Sequence, residues 1–157
     1  MLKSKLVLFV LFVVSNFGAL GIGTLLMNNG SKSTWYYQLN KAPWTPDGWV
    51  FGAAWFSLMT CFSIYLTQLS FKLERPNIEL VKLYAIQWIL NVSWNYIFFN
   101  KHLTVLGLVI IIMLWLLIGY ITFKYLTEMK YATVFILPYL VWMTIATSLN
   151  AYIVINN

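Results

Sequence analysis

A single cysteine, Cys61, leaves no partner for an intrachain disulfide and no basis for a cysteine-built metal cluster. The one histidine, His102, can form neither a zinc site nor a bis-histidine haem. The four acids, Asp47, Glu74, Glu79 and Glu128, all fall in or near connections between apolar runs. No run therefore carries the buried carboxylate that proton relays and ion-coupled transporters use. A phosphate-cradling glycine loop is missing, as is a Ser/His/Asp set. These absences exclude visible machinery for hydrolysis, phosphoryl transfer or metal chemistry. His102 is expected at the interface, facing solvent, and Cys61 is expected to be a small packing residue.

What the chain does have is apolar surface. It is 61% hydrophobic and 9% charged, against roughly 25% charged in soluble domains. A water-soluble fold of this composition would expose large apolar patches and aggregate. The fold class read from composition is an all-α integral membrane protein forming a single domain over residues 1–157. The net charge of +6 does not point to nucleic acid. Its basic residues stand one or two at a time at the ends of apolar runs, whereas a nucleic-acid footprint is a patch or stripe.

Five runs, residues 5–27, 49–71, 78–99, 103–125 and 131–155, each meet the ~20 residues a membrane helix needs. Unpaired backbone is not tolerated in hydrocarbon, and no run alternates as a barrel strand does, so five helices are predicted. The first run follows Lys3 and Lys5, as a signal peptide would. Its apolar core is longer than the ~7–15 residues of a signal and lacks a small-residue cleavage site, so a retained helix is expected. Basic residues sort unevenly: Lys3, Lys5, Lys72, Arg75, Lys82, Lys124 and Lys130 fall on one side, Lys32, Lys41 and Lys101 on the other. The excess predicts a cytoplasmic N-terminus, with the loop of residues 28–48 and the C-terminus outside; the short, lysine-rich connections look bacterial, so a bacterial cell membrane is the expected location. The other connections are short; one of them contains Arg75-Pro76.

Within the third run Gln87, Asn91 and Asn95 recur every four residues and share a helix face. Amides facing lipid are costly, so the stripe should point inward, serving either interhelical hydrogen bonds or a polar spot in a ligand pocket. Trp94 sits beside it and Trp88 lies further round. In the fifth run Pro138, Trp142, Ala146 and Asn150 share a face; the proline is expected to kink the helix by removing the bond to Val134. Small Ala146 beside Trp142 leaves room for a neighbouring helix or for a ligand. Trp49 reads as a belt residue, while Trp55 lies a full turn or more inside, where it can face the centre. Ser15, Ala19 and Gly23 form a small-residue face that permits close approach within the protomer or across a dimer.

The loop of residues 28–48 is the most informative segment. Its length and its density of Trp, Tyr and Pro argue for an ordered, functional loop, because proline fixes backbone angles and aromatic rings have few rotatable bonds. Such a loop at the mouth of an apolar bundle suits a flat, greasy ligand.

Trp35-Tyr36, then Leu39-x-Lys41-x-x-Trp44-x-Pro46-x-Gly48, then Trp55, resembles the first loop and second helix of the TspO/translocator family, the tryptophan-rich sensory proteins or peripheral-type benzodiazepine receptors. Gln87-x-x-x-Asn91-x-x-Trp94 with Phe98-Phe99 resembles that family's third helix, and Pro138-Tyr139-x-x-Trp142-x-x-x-Ala146-x-x-Leu149-Asn150 its fifth. Ala42 and Asp47 stand where the family commonly has proline, with Pro43 as a substitute. The resemblance implies a five-transmembrane-helix bundle, often a homodimer, that binds protoporphyrin IX or a related tetrapyrrole, and benzodiazepine-site ligands, with no required cofactor. Carried over by position, the ligand site is Tyr36, Pro43, Trp44, Trp55, Asn91, Trp142 and Ala146. Some relatives promote light-dependent porphyrin breakdown, which makes Trp55 and Trp142 candidate catalytic residues. The implied function is a tetrapyrrole-binding sensor with regulatory or stress-related output; the alternatives are a porphyrin-degrading enzyme using those tryptophans, or a porphyrin or sterol transporter.

Overall fold

The computed structural model describes residues 2–73 and 77–157. Glu74 and the Arg75-Pro76 pair of the short connection lie outside it, as does the side chain of Lys3. Seven α-helices follow one another among the described residues: α1 (Leu2–Leu26), α2 (Thr34–Gln38), α3 (Gly48–Lys72), α4 (Ile78–Asn95), α5 (Thr104–Lys124), α6 (Leu126–Met129) and α7 (Leu137–Asn156). There is no strand among the described residues. Helices α1, α3, α5 and α7 are each long and apolar enough to cross a membrane. The 18-residue α4 is long as well, but its polar residues, including Glu79, Lys82, Gln87, Asn91 and Asn95, lower its hydropathy.

The long helices close into a ring. Helix α1 packs between α3 and α4, α4 also packs on α5, α5 on α7, and α7 on α3. One half of the interior is filled: Met59, Phe62, Tyr65, Leu66, Ile118, Ile121, Tyr139 and Met143 have no exposed surface. The outer faces carry exposed apolar side chains such as Val14, Phe56, Ile89, Leu116 and Val141, which suits contact with lipid rather than water. Since lipid tails are as apolar as leucine, the ring is held by close packing and interhelical hydrogen bonds, each about 0.6 kcal/mol in a membrane.

The small-residue face of α1 turns toward α4 of the same chain. Ala19 is buried, the Tyr84 hydroxyl lies 2.7 Å from Ser15 Oγ, and Trp88 Nε1 donates to Ser15 O at 3.1 Å. A Cβ at Gly23 would stand 2.7 Å from Asn95 Nδ2. The same contact area holds the Tyr84 hydroxyl to Asn16 Oδ1 at 2.9 Å and Asn16 Nδ2 to Ser63 Oγ at 2.8 Å, tying α1, α3 and α4 together.

Two expectations change. The third run stops being α-helical at Asn95 and continues as a π-turn over Tyr96–Asn100, a form that often sits at functional sites. The fifth run does not form one kinked helix. Residues Lys130–Phe135 are a 3₁₀ segment, and Pro138 stands in the first turn of α7. There its missing N–H would have had no intrahelical partner, so the proline starts the helix instead of bending it.

Charges gather at the two ends of the ring. At one end Lys124 pairs with Glu79, Lys72 Nζ donates to Glu128 O, and Lys5 Nζ lies 4.9 Å from the centre of the Phe71 ring. The other end holds Lys32, Lys41, Lys101 and Asp47 with the aromatic loop.

Candidate functional site

The loop is ordered by contacts on two sides. Residues Asn28, Asn29 and Gly30 take left-handed backbone angles, with φ of 45°, 66° and 44°, which end α1 and fold the chain back. Asparagine tolerates that region and glycine prefers it. Ser33 then caps α2, accepting the Tyr36 N–H at 3.2 Å. The Trp35 ring stacks on His102 at 4.0 Å with planes 9° apart and meets Phe98 edge-on at 5.6 Å. Tyr36 packs on Phe99 at 5.4 Å. On the far side Asn40 N–H donates to Asn157 Oδ1 at 2.8 Å, and Asn157 Nδ2 donates to Asn40 O at 3.2 Å. His102 is exposed, as the sequence suggested, but its stacking on Trp35 was not foreseen.

Beneath this loop the ring is not filled. A cavity of about 750 Å³ lies between α1, α3, α4, α7 and the loop, within the range of small-molecule sites. Its walls are largely aromatic: Tyr36, Phe51, Trp55, Trp94, Phe98, Phe99 and Trp142. The rings brace one another. Phe51 meets Trp142 edge-on at 5.4 Å, Trp94 stacks on Phe98 at 5.2 Å, and Trp55 meets Tyr139 at 6.2 Å. Tyr139 in turn packs edge-on against Phe62 at 5.2 Å and accepts from Gln87 Nε2 at 2.8 Å. That layer separates the cavity from the filled half. The π-turn displaces Phe98 and Phe99 from the register of α4 and sets both against the loop.

Polar side chains on the wall include Thr24, Ser31, Lys32, Lys41, Asn95 and Asn150. Trp94 Nε1 donates to Asn150 Oδ1 at 3.2 Å. Trp142 Nε1 and Asn150 Nδ2 are buried donors with no hydrogen-bond partner among the described residues. A buried, unpaired donor costs about 1–3 kcal/mol, so such groups call for an acceptor. Burial holds the Tyr36 phenol above its ordinary pKa, so it stays neutral at physiological pH and remains a hydrogen-bond donor.

Of the residues singled out from sequence, Tyr36, Trp55, Trp142 and Ala146 line this cavity together, and Pro43, Trp44 and Asn91 do not. Pro43 is exposed. Trp44 turns outward: its ring meets Tyr152 edge-on at 5.5 Å and its N–H donates to Ser148 Oγ at 3.2 Å. Asn91 is buried below the wall, and Asn95, one turn nearer the loop, takes the wall position while donating to Asn91 O at 3.2 Å. Sequence reading missed the contribution of α1, where Phe17, Leu20, Thr24 and Met27 line the cavity. Their helical spacing was present but indistinct, because nearly every residue of α1 is apolar and any face reads alike. It also missed Phe51, Lys32 and Lys41.

The chain matches the model of the TspO/MBR family over residues 9–155. It is 33% identical over 116 residues to the tryptophan-rich sensory protein of Cereibacter sphaeroides, covering 74% of this chain and 72% of that protein. It is 32% identical over 154 residues to the tryptophan-rich protein TspO of Archaeoglobus fulgidus, covering 98% and 97%. The human translocator protein is 29% identical over 126 residues, covering 78% and 74%. Matched across nearly its whole length by the family model and aligned almost end to end with an archaeal relative, the chain belongs to the TspO/MBR family.

Proposed function

We propose that this membrane protein binds a flat, largely apolar tetrapyrrole of the protoporphyrin IX type in the aromatic cavity under the loop, and acts as a sensor of it. The observation that carries the reading is the convergence of Tyr36, Trp55 and Trp142 from three separate segments on one cavity of about 750 Å³. Flat rings match flat rings, and burying apolar area contributes about 25 cal/mol per Å² before ordering costs. Trp142 Nε1 and Asn150 Nδ2, unpaired on the wall, supply donors for acceptors on the ligand. Loop residues pinned by stacking and by the Asn40–Asn157 hydrogen bonds form a lid ordered in advance, which lowers the entropy lost on binding. The ligand is the partner here; the protein contributes no cofactor of its own.

The same reading includes five membrane-crossing helices, with α4 as the fifth span, carrying its amides inward. It places the N-terminus in the cytoplasm and the loop outside, following the excess of basic residues at the α3–α4 and α5–α7 connections. Pairing of two copies belongs to this reading through the family resemblance alone.

A second reading has a specific observation in its favour. Trp55 and Trp142 both face the one cavity, so two indoles would flank a bound, photoexcited porphyrin. In that case the ligand supplies the excited-state chemistry and the protein supplies position. One experiment separates the two. Purified protein is titrated with protoporphyrin IX while tryptophan quenching is followed, and the complex is then illuminated. Quenching with stable porphyrin absorbance is the expected result. Bleaching that disappears in Trp55→Phe and Trp142→Phe at porphyrin concentrations that saturate each variant would establish degradation, and no quenching at all would end both readings. Movement of porphyrin across sealed vesicles would instead establish a transporter.

A further inference from the structure

We infer that the cavity selects an acidic ligand: Lys32 and Lys41, held on the loop at its mouth, pair with carboxylates on the edge of the flat molecule bound inside. The inference rests on the tetrapyrrole reading and adds to it a charge requirement at named residues.

Among the described residues, the wall contains two lysines and no Asp, Glu or His. Both lysines belong to the loop, so positive charge is concentrated where a ligand edge would emerge, while the interior is aromatic. Lys32 closes the 3₁₀ turn Gly30–Lys32, directly after the left-handed Asn28-Asn29-Gly30 bend that carries the chain back over the cavity. Its ammonium has no acidic partner among the described residues. Lys41 is held in place without being neutralised. Its Nζ donates to Tyr36 O at 2.9 Å, reaches Tyr37 O at 3.4 Å and Leu39 O at 3.5 Å, and lies 4.9 Å from the centre of the Tyr36 ring. Carbonyls and an aromatic face orient an ammonium but leave its full charge in place.

The nearest acid in sequence is Asp47, between the wall residues Pro46 and Gly48, and it forms no ion pair with either lysine. At the opposite end of the molecule one lysine, Lys124, is paired with an acid, Glu79. Two groups of the interior add to the demand for an acceptor. Trp142 Nε1 and Asn150 Nδ2 are donors without acceptors, so mouth and interior alike ask for a ligand rich in acceptors. A flat ring with two carboxylates on one edge meets that demand, with its body among the indoles and its acids at the lysines. Lys32 is exposed and Lys41 half-buried, so partial exclusion of water strengthens chiefly the pair at Lys41.

The test uses the full chain in a neutral detergent, titrated with protoporphyrin IX and separately with its uncharged dimethyl ester, both followed by tryptophan quenching. The quantity read is the ratio of acid to ester affinity, compared between variants so that partition into micelles cancels. Lys32→Gln is expected to lower the ratio about three- to fivefold, and Lys32→Gln with Lys41→Gln to lower it about tenfold or more. High salt should lower the wild-type ratio as well. Lys130→Gln, at the other end of the ring, should leave it unchanged. An unaltered ratio in both the single and the double variant, with both porphyrins bound, overturns the inference and leaves the tetrapyrrole reading standing. That outcome is also the one expected if the lysines serve lipid phosphates. An equal drop in Lys130→Gln overturns it too, as a bulk charge effect. Failure of both porphyrins to bind removes the inference together with the reading beneath it.

Discussion

Ala146 and Trp142 show how single side chains set the cavity's size and chemistry. Ala146 lies on the wall and is nearly buried, so a larger residue there grows into open space instead of into a neighbour. Ala146→Leu should therefore weaken protoporphyrin IX by about tenfold or more, equivalent to ~1.4 kcal/mol, while the thermal melt in detergent stays within a few degrees of wild type. Unchanged affinity would remove Ala146 from the binding surface, and a collapsed melt would make it a packing residue. Position 142 presents a different balance. Its indole N–H is buried without a partner, and Trp142→Phe deletes that unsatisfied donor together with part of the bicyclic ring. Relief of the unpaired donor offsets part of the packing lost, so stability of the unliganded protein should fall by less than the ~3–5 kcal/mol of a full truncation of tryptophan, while affinity for an acceptor-bearing ligand falls. A loss in binding larger than the loss in stability is the signature to look for in paired melting and quenching measurements.

At the scale of elements, the contacts of α5 separate two glycines that look alike in the sequence. A Cβ at Gly107 would stand 3.1 Å from Phe98 Cδ2 and 3.2 Å from Phe98 Cβ. The second of these atoms is fixed to the backbone of the π-turn and cannot give way. A Cβ at Gly119 would meet only Leu140 Cδ1, at an ordinary 3.8 Å. Gly107→Ala should thus destabilise by about 1–3 kcal/mol, whereas Gly119→Ala should be neutral or stabilising by up to about 1 kcal/mol, since alanine favours helix. Unfolding in detergent distinguishes them. Because Gly107 seats the π-turn that carries Phe98 and Phe99, only its replacement should also disturb ligand binding. Pro138 makes the complementary point for α7. A proline that began as a predicted kink sits at the helix start, so Pro138→Ala should change stability by less than about 1 kcal/mol instead of the ~3 kcal/mol of an interior proline.

For the whole molecule, the closed ring and the sorting of charge to its ends make topology measurable. In a Cys61→Ser background, Ser31→Cys on the loop should react with a membrane-impermeant maleimide in intact cells. Thr127→Cys, between α5 and α7, should react only after permeabilisation. The reverse pattern would invert the orientation. Labelling of both positions from one side would mean that α4 does not cross, because the loop and the α5–α7 connection are separated by three spans only if it does.

The membrane class, the long helices and the inward amide stripe of α4 were legible in the residues themselves. Exclusion of charge and the spacing of Gln87, Asn91 and Asn95 are local properties that hydrocarbon constrains strongly. The loop and the indoles Trp55 and Trp142 were legible too, through motif spacing. Tertiary structure alone decided which members of those motifs share a cavity. Trp44 faces Tyr152 instead of the interior, Asn95 displaces Asn91 from the wall, and α1 supplies a wall that no pattern announced. The physical reason is that periodicity assigns a residue to a face only where polar and apolar sides contrast. In a chain this apolar the contrast is faint, and closure of the ring around unfilled space is settled by how the helices pack against one another.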